Sequence, residues 1–282
     1  MDIMSSFKLK GKVCVITGAG GALCSNMAIG LGSLGVKIAV LDINLETAKQ
    51  TAAEIQKLGG QALAKACNVL EKEQLSDCCR KIKAQWGSID LLITGAGGND
   101  PRSTTDNEFL ESEQIDAPQI QNLFNLGFNE FSQVFSLNFL STFLTIQVFG
   151  EAMVRQKHGS IVTISSMSAD IPLTKVPAYS AAKAAVSNFT RWLAVYFSHT
   201  GVRVNGIAPG FFMTEQLRFL HVNPQTGELS DRAQKVIAHT PLGRYGEPED
   251  LLGTVIWLLS DASRFVTGAV IPIDGGFSSY SI

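Results

Sequence analysis

Tyr179 and Lys183 stand four residues apart in a segment of helical periodicity, which puts a phenol and an ammonium on one helix face. A phenol near pKa 10 is a poor base at neutral pH. An adjacent cation stabilises the phenolate and brings it within range of proton exchange with an alcohol or a carbonyl. Ser166, thirteen residues before Tyr179, closes the apolar run SIVTIS and can polarise the same carbonyl oxygen, with Ser165 as the neighbouring alternative. Asn138, inside a long helical pattern, is a candidate for holding water behind the lysine; the alternative is a polar side chain bonding to backbone. A Tyr-x-x-x-Lys pair alone is common by chance. The four residues together predict proton transfer at a carbonyl or carbinol group.

Such chemistry needs a redox partner, and the N-terminal part of the chain offers a place for one. The first apolar run ends in Thr17-Gly18-Ala19-Gly20-Gly21-Ala22-Leu23-Cys24 and then a helix, so small residues lie where backbone must approach a pyrophosphate and a helix N-terminus can face its charge. The structural alternative is a tight turn. Asp42 ends the second run, where its carboxylate can hydrogen-bond the adenosine ribose hydroxyls and repel a 2′-phosphate; capping the next helix is the alternative role. Neither the glycine turn nor residues 41–48 contain Lys or Arg, which favours NAD(H) over NADP. Asn68 and Val69 are candidates for holding the adenine. Gly95, Ala96 and Gly97 could bring backbone against the cofactor, or only close a turn.

The elements that must hold these residues follow from periodicity. Apolar β-branched runs at 13–17, 37–42, 91–94, 160–165, 202–209 and 269–274, with a further short strand before Asn68, alternate with helical patterns near 22–34, 45–58, 71–86, 130–156, 178–199 and 247–260. Strands apolar on both faces, joined by helices, predict a doubly wound parallel α/β sheet of the Rossmann type. We expect one domain over residues 1–282. Two excursions, near 98–129 and 211–240, are expected on the C-terminal side of the sheet, where open α/β folds bind ligands.

Composition narrows the function classes. Hydrophobic residues make up 45% of the 282 and charged residues 17%, below the roughly 25% of an average soluble protein, which favours a large core and buried subunit contacts. A net charge of −2 without basic runs argues against a nucleic-acid partner. No signal sequence and no uninterrupted apolar run of membrane-spanning length is apparent, so a cytoplasmic protein without a membrane partner is expected. The five cysteines lack Cys-x-x-Cys spacing and are expected to be reduced and structural. His158, His199, His221 and His239 show no ligand-like arrangement, so no metal is expected.

Taken in order and spacing, the Thr17–Cys24 turn, Asp42, Gly95-Ala96-Gly97, Asn138, Ser166, Tyr179 with Lys183, Pro209-Gly210 with Thr214, and Asp274-Gly275-Gly276 resemble the short-chain dehydrogenase/reductase family over essentially the whole chain. The resemblance implies a catalytic tetrad of Asn138, Ser166, Tyr179 and Lys183, with Lys183 also on the nicotinamide ribose. It implies Thr214 at the nicotinamide carboxamide, Ile207 beside the ring, and a homotetramer built on the two long helices. Two departures stand out. Ala22 and Cys24 replace the last two glycines of the usual Thr-Gly-x-x-x-Gly-x-Gly turn, and Thr94-Gly95-Ala96-Gly97 replaces the usual Asn-Asn-Ala-Gly.

Gly97-Gly98-Asn99, Asp100-Pro101, the stretch from Thr104 to Phe109, PLTKVPAYSAAKAAVSNFT, IAPGFFMTEQ and DGGFSSYS are similar to the mannonate oxidoreductase (fructuronate reductase) branch, which also tolerates a cysteine ending the glycine turn. That similarity implies reversible reduction of the D-fructuronate ketone to D-mannonate. A hexuronate needs a cation for its carboxylate and several hydrogen-bonding groups; Asn99, Arg102, Thr104, Thr105 and Lys175 are the candidates, the alternative for the two cations being solvated loop side chains, and Gln216, Arg218 and His221 could close over the substrate or make only surface contacts. Alternatives are another sugar acid, a ketose or polyol, or a 3-oxoacyl thioester as substrate. Outside enzymes, the alternative is a dinucleotide-sensing or structural protein.

Overall fold

The structure, a computed structural model, describes residues 3–214 and 227–281. Seven strands form one parallel sheet: β1 (Val13–Thr17), β2 (Lys37–Asp42), β3 (Gln61–Ala66), β4 (Leu91–Thr94), β5 (Gly159–Ile164), β6 (Val202–Pro209) and β7 (Val270–Ile273). Their spatial order is β3-β2-β1-β4-β5-β6-β7. The order reverses between β1 and β4, and the crevice at such a switch point is where open α/β sheets bind ligands. Register brings the strand ends into line there, with Thr17 beside Thr94 and Thr94 beside Thr163.

Because side chains alternate along a strand, each strand feeds two cores. Cys14 and Ile16 of β1 join Ile38 and Val40 on one face, beneath α1 (Ala22–Ser33) and α2 (Leu45–Lys57). Val13 and Val15 join Leu92 and Ile161 on the other, beneath α3 (Lys72–Trp86), α4 (Phe128–Gln156) and α5 (Pro177–Tyr196). Among the described residues, the remaining α-helices are α6 (Asp231–His239) and α7 (Leu252–Leu259). β3 and β7, the edge strands, are only partly buried, which is why QALAKA carries a weaker apolar signal than the inner strands.

Four strands match the ranges expected from sequence; the run at 160–165 begins one residue earlier, and that at 269–274 shortens to β7. The pattern near 247–260 divides into a 3-10 turn, Pro248–Leu251, and α7. α4 begins at Phe128 and contains two π-helical turns, Ser136–Leu140 and Ile146–Gly150. Its length and mean hydropathy of 1.3 would satisfy a membrane span by composition, but half of the apolar window is buried within the protein. The 98–129 excursion holds two short 3-10 turns and is tied down by polar contacts: Asp106 N–H donates to the Gln121 carbonyl and Gln121 N–H returns to the Asp106 carboxylate. Of the second excursion, α6 is helical, while Gln216, Arg218 and His221 lie outside the described residues.

Candidate active site

Ser166 is the second residue after β5, and Tyr179 and Lys183 lie one turn apart near the start of α5, whose first position is Pro177 with φ preset for a helix. The two elements are joined by buried polar contacts. Ser165 Oγ donates to the Lys183 carbonyl at 3.0 Å and lies 2.6 Å from Ser187 Oγ, while Thr163 Oγ1 meets Thr190 Oγ1 at 2.7 Å. Ser165, the alternative at the catalytic position, is therefore engaged inside the β5–α5 seam. Ser166 is the one that faces the phenol: its hydrogen bond to Tyr179 offsets part of the upward pKa push that burial gives the phenol.

Lys183 Nζ donates to the Ile164 carbonyl at 2.8 Å and stands 5.5 Å from the centre of the Tyr179 ring. Burial pushes the ammonium down to about 8. Asn138 is fully buried in the first π-helical turn of α4. Its Nδ2 donates to the Val134 and Gly98 carbonyls and its Oδ1 accepts from Gly98 N–H, so its side chain bonds to backbone and pins the segment after β4. A Cβ on Gly97 would lie 2.6 Å from Asn138 Oδ1 and 3.4 Å from Lys183 Nζ, which puts these three residues at one point.

Beside this cluster a cleft of about 1070 Å3 runs along the switch point, bordered at one end by Asp42, Asn68 and Val69 and at the other by Met213 and Thr214. Gly18, Gly20, Gly21, Ala22, Leu23, Gly95, Ala96 and Gly97 line its floor. Gly18 has φ +65 and passes so close to the β4 turn that a Cβ would lie 2.8 Å from Ala96 Cα; the site demands glycine twice over. Thr17 Oγ1 accepts from Gly95 N–H and Ala96 N–H, tying the two turns together. α1 opens at Gly21 with no side-chain cap, so its first N–H groups and positive dipole end face the cleft.

Asp42 accepts from Gly20 N–H at 2.9 Å and from Asn44 N–H at 2.9 Å. Asn44, rather than Asp42, caps α2, accepting from Glu46 N–H and Thr47 N–H; the helix-cap reading of Asp42 falls. Among the described residues no Lys or Arg lines the cleft around Asp42. A dinucleotide fits these residues: the uncapped helix end suits a pyrophosphate, and Asp42 suits an unphosphorylated ribose. Asn68 lines the same end of the cleft as Asp42, and its Oδ1 already accepts from Leu70 N–H. Pro209 and Gly210 are held by β7, with Gly210 N–H donating to Ile273, and they position the Met213–Thr214 wall. Among the lining residues that sequence reasoning missed are Ile43, Thr47, Gln50, Leu137 and Met213. Only Ile43, an exposed apolar residue just past a strand end, carried a local signal.

The substrate candidates divide. Arg102 is bound by Asp100, two residues away, through Nε at 3.1 Å and Nη2 at 2.6 Å, so its charge is largely cancelled where it stands. Asn99 is exposed. Lys175 takes an unusual φ of +74, and its carbonyl accepts from Thr105 N–H; its visible role is to moor the 98–109 segment at the start of α5. A second cleft of about 640 Å3 lies beyond these residues, between Ile171–Thr174, Phe211, Phe277 and α6. Arg232, Lys235 and His239 line it, together with Glu108.

A switch-point cleft floored by two glycine turns, next to a Ser-Tyr-Lys cluster, defines a dinucleotide-dependent α/β oxidoreductase. A family profile described as enoyl-(acyl carrier protein) reductase matches residues 18–278. The chain belongs to the short-chain dehydrogenase/reductase family. It is 48% identical to an uncharacterised oxidoreductase, UxuB, of Bacillus subtilis over 97% of each chain. It is similar to a solved Haemophilus influenzae protein, provisionally named a D-mannonate oxidoreductase and carrying bound NAD, with 47% identity, a TM-score of 0.92 and 97% of each chain covered. At 31% identity, over 96% of each chain, stands the 7α-hydroxysteroid dehydrogenase of Escherichia coli.

The Lys183 shift has a thermodynamic signature in nucleotide-free protein. Its folded pKa of about 8 lies below the ordinary 10.5, so between these values the unfolded chain binds more protons and stability rises with pH; below 8 both states are protonated and the penalty is constant. The unfolding free energy of the protein minus that of Lys183→Met should therefore climb by about 2 kcal/mol from pH 7 to pH 10. Urea titrations at each pH measure it, and a flat difference would mean that the ammonium is not desolvated.

Proposed function

We propose that the protein is an NAD(H)-dependent oxidoreductase that interconverts the ketone and the secondary alcohol of a sugar acid, D-fructuronate and D-mannonate first. The observation that carries the reading is the contact between Ser166 and Tyr179 beside a cleft that, among the described residues, offers a carboxylate and no cation to the adenosine ribose. Gly18, Gly20, Gly21, Ala22 and Leu23 would hold the pyrophosphate; Asp42 the ribose hydroxyls; Asn68 and Val69 the adenine. Gly95, Ala96, Gly97, Tyr179 and Lys183 would border the nicotinamide ribose, and Pro209, Gly210 and Thr214 the nicotinamide end. NADH, when bound, supplies hydride to the carbonyl carbon.

The chain's own residues handle the proton. Ser166 hydrogen-bonds the substrate oxygen and polarises it, and Tyr179 gives that oxygen its proton in reduction and removes it in oxidation. Lys183, with its pKa near 8, is mostly charged at neutral pH and sits where it can restore the phenol's proton balance. Asn138 holds Gly98, and through it the Gly97 backbone, beside Lys183.

The sugar-acid assignment draws on the likeness to the Haemophilus influenzae protein and on the second cleft. With Arg102 paired to Asp100, the substrate carboxylate finds its cations on α6, at Arg232 and Lys235. Asn99 and Lys175 remain substrate-side candidates through their place in the 98–109 segment and its mooring. A cytosolic location suits five free cysteines, four of them buried.

We also propose a homotetramer. Phe135, Phe139, Phe143, Phe189, Trp192 and Tyr196 form an aromatic band across α4 and α5, with Trp192 and Tyr196 stacked at 4.7 Å and 53% and 66% exposed. Aromatic surface of this kind marks subunit contacts. Light scattering should give four chains per particle, and Trp192→Glu with Tyr196→Glu should reduce that number; a monomer at micromolar concentration contradicts the assembly.

The activity is tested by NADH oxidation with D-fructuronate, D-tagaturonate, 5-ketogluconate, fructose, a 7-oxo bile acid and an acetoacetyl thioester, with NADPH as control. D-Fructuronate with NADH should dominate, and Arg232→Ala/Lys235→Ala should raise its KM about tenfold with kcat little changed, as expected for loss of one charge-assisted contact. Preferred turnover of the bile acid or the thioester would sink the substrate assignment. Binding of NADH without turnover of any ketone would revive the sensing alternative.

A further inference from the structure

Cys24 lies in the first turn of α1 and is buried, and its Sγ occupies the space into which a side chain at residue 95 would project. A Cβ built on Gly95 would lie 2.2 Å from Cys24 Sγ, by far the tighter contact, and 2.9 Å from the Thr17 carbonyl oxygen, where the backbone would also have to give. Gly95 is not in the left-handed region of φ. Its lack of a side chain therefore answers a volume constraint rather than a φ requirement, set first by the thiol and second by the Thr17 carbonyl. Burial pushes Cys24 up to about 12, so at physiological pH the group is a neutral thiol that acts by filling space.

One residue from each of the two departures from the family pattern, Cys24 and Gly95, thus belongs to a single feature. Where the family has glycine on the helix side and asparagine on the strand side, this chain has cysteine and glycine, and the side chain crosses the same gap from the opposite wall. The consequence reaches both ends of the cleft. Cys24 joins α1, which faces the pyrophosphate position, to the Gly95–Gly97 segment, and Gly97 abuts Asn138 Oδ1 and Lys183 Nζ.

We propose that Cys24 and Gly95 form a complementary positioning pair that sets the Gly95–Gly97 backbone at the depth the dinucleotide requires, Cys24 supplying the volume and Gly95 the clearance. The pair acts on cofactor binding through main-chain position, so its effects belong in the affinity for NADH and not in the KM for the ketone. Contacting residues with a shared volume are coupled, whereas independent cofactor contacts would contribute additively.

The test is a double-mutant cycle on the full-length protein with Cys24→Gly, Gly95→Ala and the double variant, read as the NADH dissociation constant by fluorescence titration and as Tm without nucleotide. Each single variant should weaken NADH binding, Gly95→Ala by tenfold or more because its methyl collides with sulfur. The double variant should bind at least fivefold more tightly than Gly95→Ala, since removal of the thiol relieves the tighter of the two contacts and leaves only the Thr17 carbonyl to be accommodated; the ketone KM of every soluble variant should stay within about threefold. If Gly95→Ala is insoluble, recovery of a folded, NADH-binding protein on adding Cys24→Gly supports the pair, and continued insolubility overturns it. Additive losses in the cycle overturn it as well. The inference rests on the dinucleotide reading, whose failure would show separately as absence of NADH binding by the unsubstituted protein.

Discussion

The docking of α5 on β5 is the contact on which the candidate chemistry depends. Ser166 belongs to one element and Tyr179 with Lys183 to the other, and a shift of an ångström between them would separate the hydroxyl from the phenol. Small polar side chains fix the distance. Thr163 and Thr190, Ser165 and Ser187, and the Lys183 ammonium on the Ile164 carbonyl form a ladder in which each buried group has a partner. Leaving one of these groups without a partner would cost about 1–3 kcal/mol, so the ladder resists sliding in a way that apolar packing alone would not.

The same economy appears at the cofactor end. The Asp42 carboxylate holds the glycine turn through Gly20 N–H and presents its charge to the cleft, so the group proposed to select NAD also shapes the turn that cradles it. Thr17 binds the β4 turn to the β1 turn, and Cys24 packs between them. The candidate cofactor and proton-transfer residues are linked at Gly97, where the segment after β4 meets Asn138 and Lys183.

The inner strands and their helices are legible in sequence because parallel strands buried on both faces read as unbroken apolar runs, and the turns that follow them carry glycine where backbones meet. The Ser166, Tyr179 and Lys183 grouping is legible for a similar reason, since helical spacing and a strand end locate all three. What escapes the sequence is what depends on contacts between distant segments. The π-helical turns of α4 have no residue signature. Arg102 reads as a free loop cation until the 3-10 turn at Pro101–Ser103 folds it onto Asp100. Asn44 competes with Asp42 for the cap of α2, and backbone direction decides between them. Ala22 and Cys24 read as defects in the glycine turn, but the space that accommodates Cys24 lies on another strand.

The central claim is that the Tyr179 hydroxyl transfers the proton while the rest of the site binds and orients, and replacing Tyr179 by Phe tests it most directly because the ring and its packing remain. With NADH and the preferred ketone, Tyr179→Phe should lower kcat by a factor of about 10³, while its NADH dissociation constant stays within threefold of the parent's. A kcat equal to the parent's would contradict the account and move the proton to another group.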